Sequence, residues 1–437
     1  MKLKYLLSFL LLSCILSLYA KSKNLEDFLT AADSILWTLK PEQCEILLDS
    51  RFKSQDEYDN AVRYHSKESL KYIYFNKKII PEIIFYFQKR QLQSITVSLY
   101  NRGDNGSITE QNFTRLNNEA EKFLRKISGD SNFKKETRKF DDFRIESIKY
   151  TGKNCDYVLR RNRKGKYPEY VQLLIYPAGQ AKNLRDALQT DAGKNVLQLN
   201  LNIEPNGDHY LNIPMVNQGN KGYCVAATVE RIMKYYGSRV DQQIIAQLAE
   251  SDAFQGTNLH KIINVLDKNK SKLQIKVDKL ITENIFDSPD DFEKLTMQYN
   301  NFAKKQKRNR IKFDNFCKGK GRYRRINVAA LISSYEYDLF RSARCKPQRL
   351  VDRFNKEVQE SLNAGIPLAW CTFTFQNMKD GRRIGNFGLH MRIINGFNPQ
   401  TNQIIYTDSW GKGHEKKYLA LNDAWAITLM LIQITPK

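Results

Sequence analysis

One cysteine stands where a thiol becomes a nucleophile. The segment Ile213-Pro214-Met215-Val216-Asn217-Gln218-Gly219-Asn220-Lys221-Gly222-Tyr223 leads into Cys224, and Val225, Val229, Ile232, Met233 and Tyr236 follow as an apolar face that stops at Gly237. That spacing predicts a helix beginning at Cys224. Unpaired amides and the positive end of the helix dipole then meet the sulfur, and both favour thiolate over thiol. Gln218 lies six residues upstream on a Gly-rich loop, close enough for its amide to fold back beside the thiol and donate to a developing oxyanion.

A thiolate nucleophile needs an imidazole to hold and return a proton. Leu389-His390-Met391-Arg392-Ile393-Ile394 alternates as a strand, Asn398-Pro399-Gln400-Thr401-Asn402 makes a turn, and Ile404-Ile405-Tyr406-Thr407-Asp408 alternates again. This is a hairpin pattern. On pleated strands His390, Arg392 and Ile394 share a face, as do Ile404, Tyr406 and Asp408, so His390 and Asp408 can meet near the hairpin's open end. Asp408 would orient the imidazole and stabilise its cation. Each residue also has a plain structural reading: a small buried Cys224, a core His390, an Asp408 capping its turn, a Gln218 holding its loop. The four in this order favour the chemical one.

In that order, Gln218, Gly222-Tyr223-Cys224 with its helix, His390 and Asp408-Ser409-Trp410-Gly411 resemble the papain-like cysteine peptidases over about half the chain. The resemblance implies Cys224 as nucleophile, His390 as general base and acid, Asp408 as orienter, Gln218 as oxyanion donor, and a protein or peptide substrate. Aspartate in the third place, the short tail after it and a bacterial-type leader are more similar to the bacteriocin-processing (double-glycine-leader) peptidase branch than to papain. That branch works fused to a membrane transporter, and this chain has no ATP-binding motif, so leader-peptide specificity is not implied. A cell-wall amidase and a transglutaminase-type acyl transferase share the Cys, His, Asp order. A non-catalytic envelope-binding protein could keep the same fold as a scaffold.

The elements that must position these residues belong to a chain of 437 residues, room for two or three domains. It carries a net charge of +23, with 27% charged and 41% hydrophobic residues, a globular rather than disordered composition. Lys2 and Lys4 precede an apolar run from Tyr5 to Leu18, with Ala20 at a cleavage point. The run falls short of the ~20 residues of a membrane span and reads as a signal peptide over 1–20, so the chain is expected to be exported, periplasmic or secreted, with no membrane span once the signal is removed. Cys14 fits a lipidation site only loosely, because Ile15-Leu16 follows it. The other cysteines, Cys44, Cys155, Cys224, Cys317, Cys345 and Cys371, contain no C-x-x-C pair. With one of them a nucleophile, five remain, an odd number that argues against a disulfide framework. His65, His209, His260 and His414 show no metal-ligand spacing and read as surface or cap residues. No metal or cofactor is expected.

An amphipathic pattern around Phe28, Ala31, Ile35 and Leu36 predicts helix within 25–49, and a second helix starts at Thr109 with Phe113, Leu116, Ala120, Phe123 and Leu124 on one face. Strands are expected at 72–75, 83–87, 95–100, 143–150, 157–160 and 170–176, with a turn cluster at Asn101–Gly106. Residues 21–200 thus read as an α+β accessory domain, 201–212 around Pro205-Asn206-Gly207 as a linker, and 213–437 as the papain-like domain. The class is α+β, with the cysteine on a helix N-terminus and the His and Asp on an antiparallel sheet. Helices are expected at 241–250, 257–268, 288–306 and 347–364, then a strand over Leu368–Phe375, with a helical basic insertion at about 270–346. Residues 304–325 hold eleven Lys or Arg (Lys304, Lys305, Lys307, Arg308, Arg310, Lys312, Lys318, Lys320, Arg322, Arg324, Arg325) against Asp314 alone. They read as a solvated helix end and loop, or as a contact for an anionic envelope surface; in an exported chain nucleic acid is not the expected partner.

Overall fold

The computed structural model describes residues 24–32, 36–48, 61–66, 72–88, 90–129, 133–140, 143–164, 166–181, 197, 199–216, 218, 224–238, 245–246, 259–282, 288–319, 325–375, 387–411 and 413–437. The expected signal over 1–20, with Cys14, lies outside them, as does most of the helix expected at 241–250. Among the described residues no helix is long and apolar enough to cross a membrane. The described residues fall into two compact units, one within 24–181 and one within 197–437.

The first unit sets helices α1 (Leu25–Ala32), α2 (Pro41–Leu48) and α3 (Glu110–Ser128) beside strands β1 (Ala61–His65), β2 (Glu82–Gln88), β3 (Gln91–Asn101), β4 (Lys134–Phe140), β5 (Phe143–Thr151), β6 (Cys155–Lys164) and β7 (Tyr167–Pro177). The strands form one antiparallel sheet in the order β1-β2-β3-β7-β6-β5-β4. The Thr109 side chain accepts from the Asn112 amide and Gly129 ends α3 in the left-handed region, the start and stop that its sequence announces. Phe113, Leu116, Ala120 and Leu124 pack into one core with Phe85, Ile95, Val97, Leu159, Leu173 and Ile175.

The two edge strands, β1 and β4, were not expected. β4, Lys-Lys-Glu-Thr-Arg-Lys-Phe, has no apolar alternation, and its charges suit an edge that must not pair further. Residues Asn101–Gly106, expected as a turn, form one helical turn over Arg102–Asn105, with the Asn101 side chain accepting from the Gly103 amide. His65, expected at the surface, is buried, its Nε2 3.3 Å from Asp104 Oδ1.

The second unit begins with β8 (Leu201–Ile203) and β9 (His209–Leu211). The stretch expected as a linker, 201–212, is therefore a hairpin, and β9 pairs onward with a sheet strand through His209↔Phe397 and Tyr210↔Gly396. Pro205-Asn206-Gly207 is its turn, held by Asp208. That buried carboxylate accepts from Tyr418 Oη (2.6 Å), Asn398 Nδ2 (2.8 Å) and Lys416 Nζ (2.9 Å). Burial alone would raise its pKa, yet these donors hold it at about 2.

There follow α4 (Cys224–Tyr235), α5 (Leu259–Lys268), β10 (Ile275–Thr282), α6 (Pro289–Lys305), α7 (Val328–Ser334), α8 (Tyr337–Cys345), α9 (Gln348–Asn363), β11 (Leu368–Phe375), β12 (Phe387–Asn398), β13 (Gln403–Thr407), β14 (Lys417–Ala420), α10 (Leu421–Ile427) and β15 (Thr428–Pro436). The sheet runs β8-β9-β12-β11-β15-β10, with β13 on β12 and β14 on β13. The insertion is not purely helical, because β10 pairs with β15 along Ile275↔Pro436 to Thr282↔Met430. β15 is flanked on both sides and buried almost throughout, so its run lacks the alternation by which a one-faced strand is read.

Within the basic stretch, Arg308 pairs with Glu336 and Asp338. The Asn300 side chain bonds both the Ile311 amide (2.7 Å) and carbonyl (2.8 Å), and Phe313 is buried. Lys304, Lys305, Lys307, Arg310, Lys312, Lys318 and Arg325 are exposed, with no ion pair among the described residues.

Candidate active site

Cys224 is the first residue of α4, whose Val225, Val229, Ile232 and Met233 are buried and whose run ends at Gly237 with φ +81°. Thr228 Oγ1 donates to the Met391 carbonyl (3.2 Å), tying the helix to β12. Arg231, one of the largest fully buried side chains, donates from Nε to Pro214 O (2.8 Å), from Nη1 to Asp408 O (2.8 Å) and from Nη2 to Thr407 Oγ1 (2.7 Å). One side chain thus joins the cysteine helix, the segment before the Gly-rich loop and the strand that ends at Asp408.

The β12–β13 register is Ile393↔Thr407 and Ile394↔Tyr406, with an irregularity before Gly396. Gly396 is a place where only glycine fits, since an added Cβ would lie 2.5 Å from the His209 carbonyl oxygen. Two steps toward the open end, the register sets Asp408 opposite Arg392 and diagonal to His390. His390 Nε2 is 2.9 Å from Asp408 Oδ1, and Arg392 Nε donates to that same oxygen at 3.0 Å. Lys417 Nζ and His414 Nδ1 lie 3.6 and 3.9 Å from Oδ2. Trp410 stacks on the His390 ring, centroids 4.6 Å apart at 20°, while remaining 42% exposed.

Burial penalises every charge here, and the partners overcome it. Asp408 is held at about 2 by the His390 hydrogen bond and by the Arg392, His390 and Lys417 charges. His390 is disfavoured as a cation by burial, but the Asp408 and Cys224 hydrogen bonds and charges raise it above the ordinary histidine value. Burial likewise pushes the Cys224 thiol up, but the hydrogen bond and charge of His390, helped by the Met391 and Val225 backbone, bring it below the ordinary cysteine value. With Nε2 on Asp408, Nδ1 is the nitrogen left for sulfur. One shift down and one up are the directions that a thiolate–imidazolium pair requires. Buried Cys371 shows the opposite case, raised by burial and by the Cys224 charge.

Gln218 is buried, and its backbone N–H donates to the Ser409 carbonyl (2.9 Å), which anchors it to the residue after Asp408. Its Oε1 has no hydrogen-bond partner among the described residues. Gly219, Gly222 and Tyr223, on the approach to Cys224, lie outside the described residues. His390 and Asp408 are therefore hydrogen-bonded, α4 brings Cys224 to the same place, and Gln218 is anchored through its backbone to the residue after Asp408.

Several neighbours escape a reading by motif. Arg231 looks like an ordinary polar residue within a helix, and Lys417 and His414 reach Asp408 through a loop. Arg392 was visible as the residue two places from His390, on the same face. His414, expected as a surface or cap residue, sits at Asp408, and its carbonyl accepts the Asp408 amide (3.0 Å). His209 packs against Phe397, and the His260 side chain lies outside the described residues. Among the described residues none of Cys44, Cys155, Cys224, Cys317, Cys345 and Cys371 is in a disulfide bond. Among the described residues no group of three His, Cys, Asp or Glu side chains could hold a metal ion.

The model of the peptidase C39 like family matches residues 210–428, a span that takes in Gln218, Cys224, His390 and Asp408. No curated protein matches the chain.

Proposed function

The chain belongs to the peptidase C39 like family of papain-like cysteine peptidases, and from that premise we propose that it hydrolyses peptide bonds through Cys224, His390 and Asp408 with Gln218 as oxyanion donor. The observation that carries this reading is His390 Nε2 at 2.9 Å from Asp408 Oδ1, with Cys224 at the start of the helix that Thr228 ties to the residue after His390. The thiolate attacks the substrate carbonyl, and the Gln218 side-chain amide and the Cys224 backbone N–H, free of an intrahelical partner at a helix start, donate hydrogen bonds to the oxyanion. His390 gives its proton to the departing amine, leaving a thioester. It then takes a proton from water, which attacks that thioester and releases the acid, leaving the thiolate beside the reprotonated imidazole. Asp408 keeps Nε2 engaged, so that Nδ1 faces sulfur throughout.

The aspartate in the third place supports a peptidase nearer the bacteriocin-processing branch than papain. The leader-like first twenty residues support export, and the exposed cations between Lys304 and Arg325 support an anionic envelope surface as partner. Retention on anionic vesicles should fall steeply with added salt; retention indifferent to salt would argue against it. For the activity, full-length wild type is expected to release fragments from casein, and Cys224→Ala to release none. Peptidoglycan release without casein release would favour the amidase. Envelope binding with no turnover by either protein would favour the scaffold.

A further inference from the structure

Arg392 does more than line the strand. Its guanidinium lies 5.1 Å from the Tyr406 ring centroid and 5.9 Å from that of Trp370. Trp370 is itself fully buried and fixed by its Nε1 bond to Thr428 Oγ1 (2.8 Å). The two rings meet edge to face at 5.6 Å and make an aromatic corner that holds the arginine. From that corner Nε reaches Asp408 Oδ1, the same oxygen that His390 uses. The arginine side chain is 11% exposed, whereas Lys417 and His414, on the far oxygen, are 28% and 29% exposed and lie beyond hydrogen-bond distance of it. Arg231 touches the Asp408 carbonyl, not its carboxylate.

Resting on the triad read above, we propose that Arg392 is a positioning residue: by sharing Oδ1 of Asp408 with His390 it fixes the carboxylate and offsets its charge, so that the third member orients the imidazole without over-holding its proton. A bare carboxylate behind His390 would stabilise the imidazolium so strongly that it would release its proton to the leaving amine poorly. The shared oxygen moderates that attraction and keeps the carboxylate from rotating away.

The charged and titratable groups facing this line are Cys224, Cys371, His390, Arg392, Tyr406, Asp408, His414, Lys417 and Arg231, with Glu415 behind His414. Arg392→Gln removes one positive charge from the set. The His390 titration, followed by NMR of carbon-labelled histidine in the full chain, should then rise by about one pH unit. On any peptide that wild type cleaves, kcat should fall by about tenfold and the basic limb of kcat/KM should move up with the histidine. Arg392→Lys keeps the charge but loses the planar fork and the ring contacts; its His390 midpoint should match wild type while kcat stays reduced. An unmoved midpoint in Arg392→Gln, a moved midpoint in Arg392→Lys, or wild-type kcat in the lysine variant would each overturn the proposal, and the lysine variant decides it if the glutamine variant does not fold. The NMR readout needs no substrate. Absence of hydrolysis by wild type would count against the triad reading, and the histidine midpoints would still decide the role of Arg392.

Discussion

Among the described residues stand two buried histidine–aspartate pairs, one in each unit, built from the same atoms. His65 Nε2 lies 3.3 Å from Asp104 Oδ1, and His390 Nε2 lies 2.9 Å from Asp408 Oδ1. What separates them is the second ring nitrogen. That of His65 is buried without a hydrogen-bond partner among the described residues, and the cysteines of its unit, Cys44 and Cys155, sit deep in the apolar core. The free nitrogen of His390 meets a thiol at a helix N-terminus. A His–Asp pair is thus a common way to satisfy a buried imidazole, and it becomes a catalytic device only when a nucleophile is delivered to its open side.

The difference can be broken or sharpened by matched substitutions. The largest expected contrast is between His390→Ala, which should lower kcat/KM by about a thousandfold or more through loss of both proton transfer and thiolate stabilisation, and His65→Ala, which should leave it within about twofold. A smaller contrast follows one residue further along each pair. Asp408→Asn removes the anion that raises His390, so the basic limb of activity should move to lower pH and kcat should fall by about tenfold to a hundredfold. Asp104→Asn should move neither. The smallest effect belongs to stability: His65→Ala should cost about 1–3 kcal/mol in a denaturant titration, the usual range for breaking a buried polar pair. A catalytic loss in the His65 variant as large as in the His390 variant would erase the distinction.

The helix start at Cys224 was legible because apolar spacing and a Gly-rich approach coincide there. His390 and Asp408 were legible because strand alternation on either side of an Asn-Pro turn sets their faces. The α3 helix announced both its ends. Other features did not show. The hairpin of β8 and β9 read as a linker because each strand has three residues and its stability lies in Asp208, whose partners Asn398, Lys416 and Tyr418 are about two hundred residues away. β10 and β15 were hidden because one is a half-exposed edge and the other a continuous apolar run. Arg231 and Arg392 were hidden as positioning groups because a charge in a helix or strand is ordinarily solvated, and only the folded register shows that these two are not.

The central claim is that His390 converts Cys224 into a thiolate that persists below the pH at which an ordinary cysteine ionises. Its direct test is the pH dependence of iodoacetamide labelling at Cys224, read by peptide mass spectrometry in wild type and His390→Ala. The Cys224 pKa is lowered and the His390 pKa raised, so labelling of Cys224 in wild type should already be fast at neutral pH, while Cys371 and Cys345, both raised by burial, stay unlabelled. In His390→Ala the Cys224 profile should shift up toward that of a free thiol, near about 8.5. A Cys224 profile that titrates as a free thiol in wild type, or one that the histidine substitution leaves in place, would contradict the account.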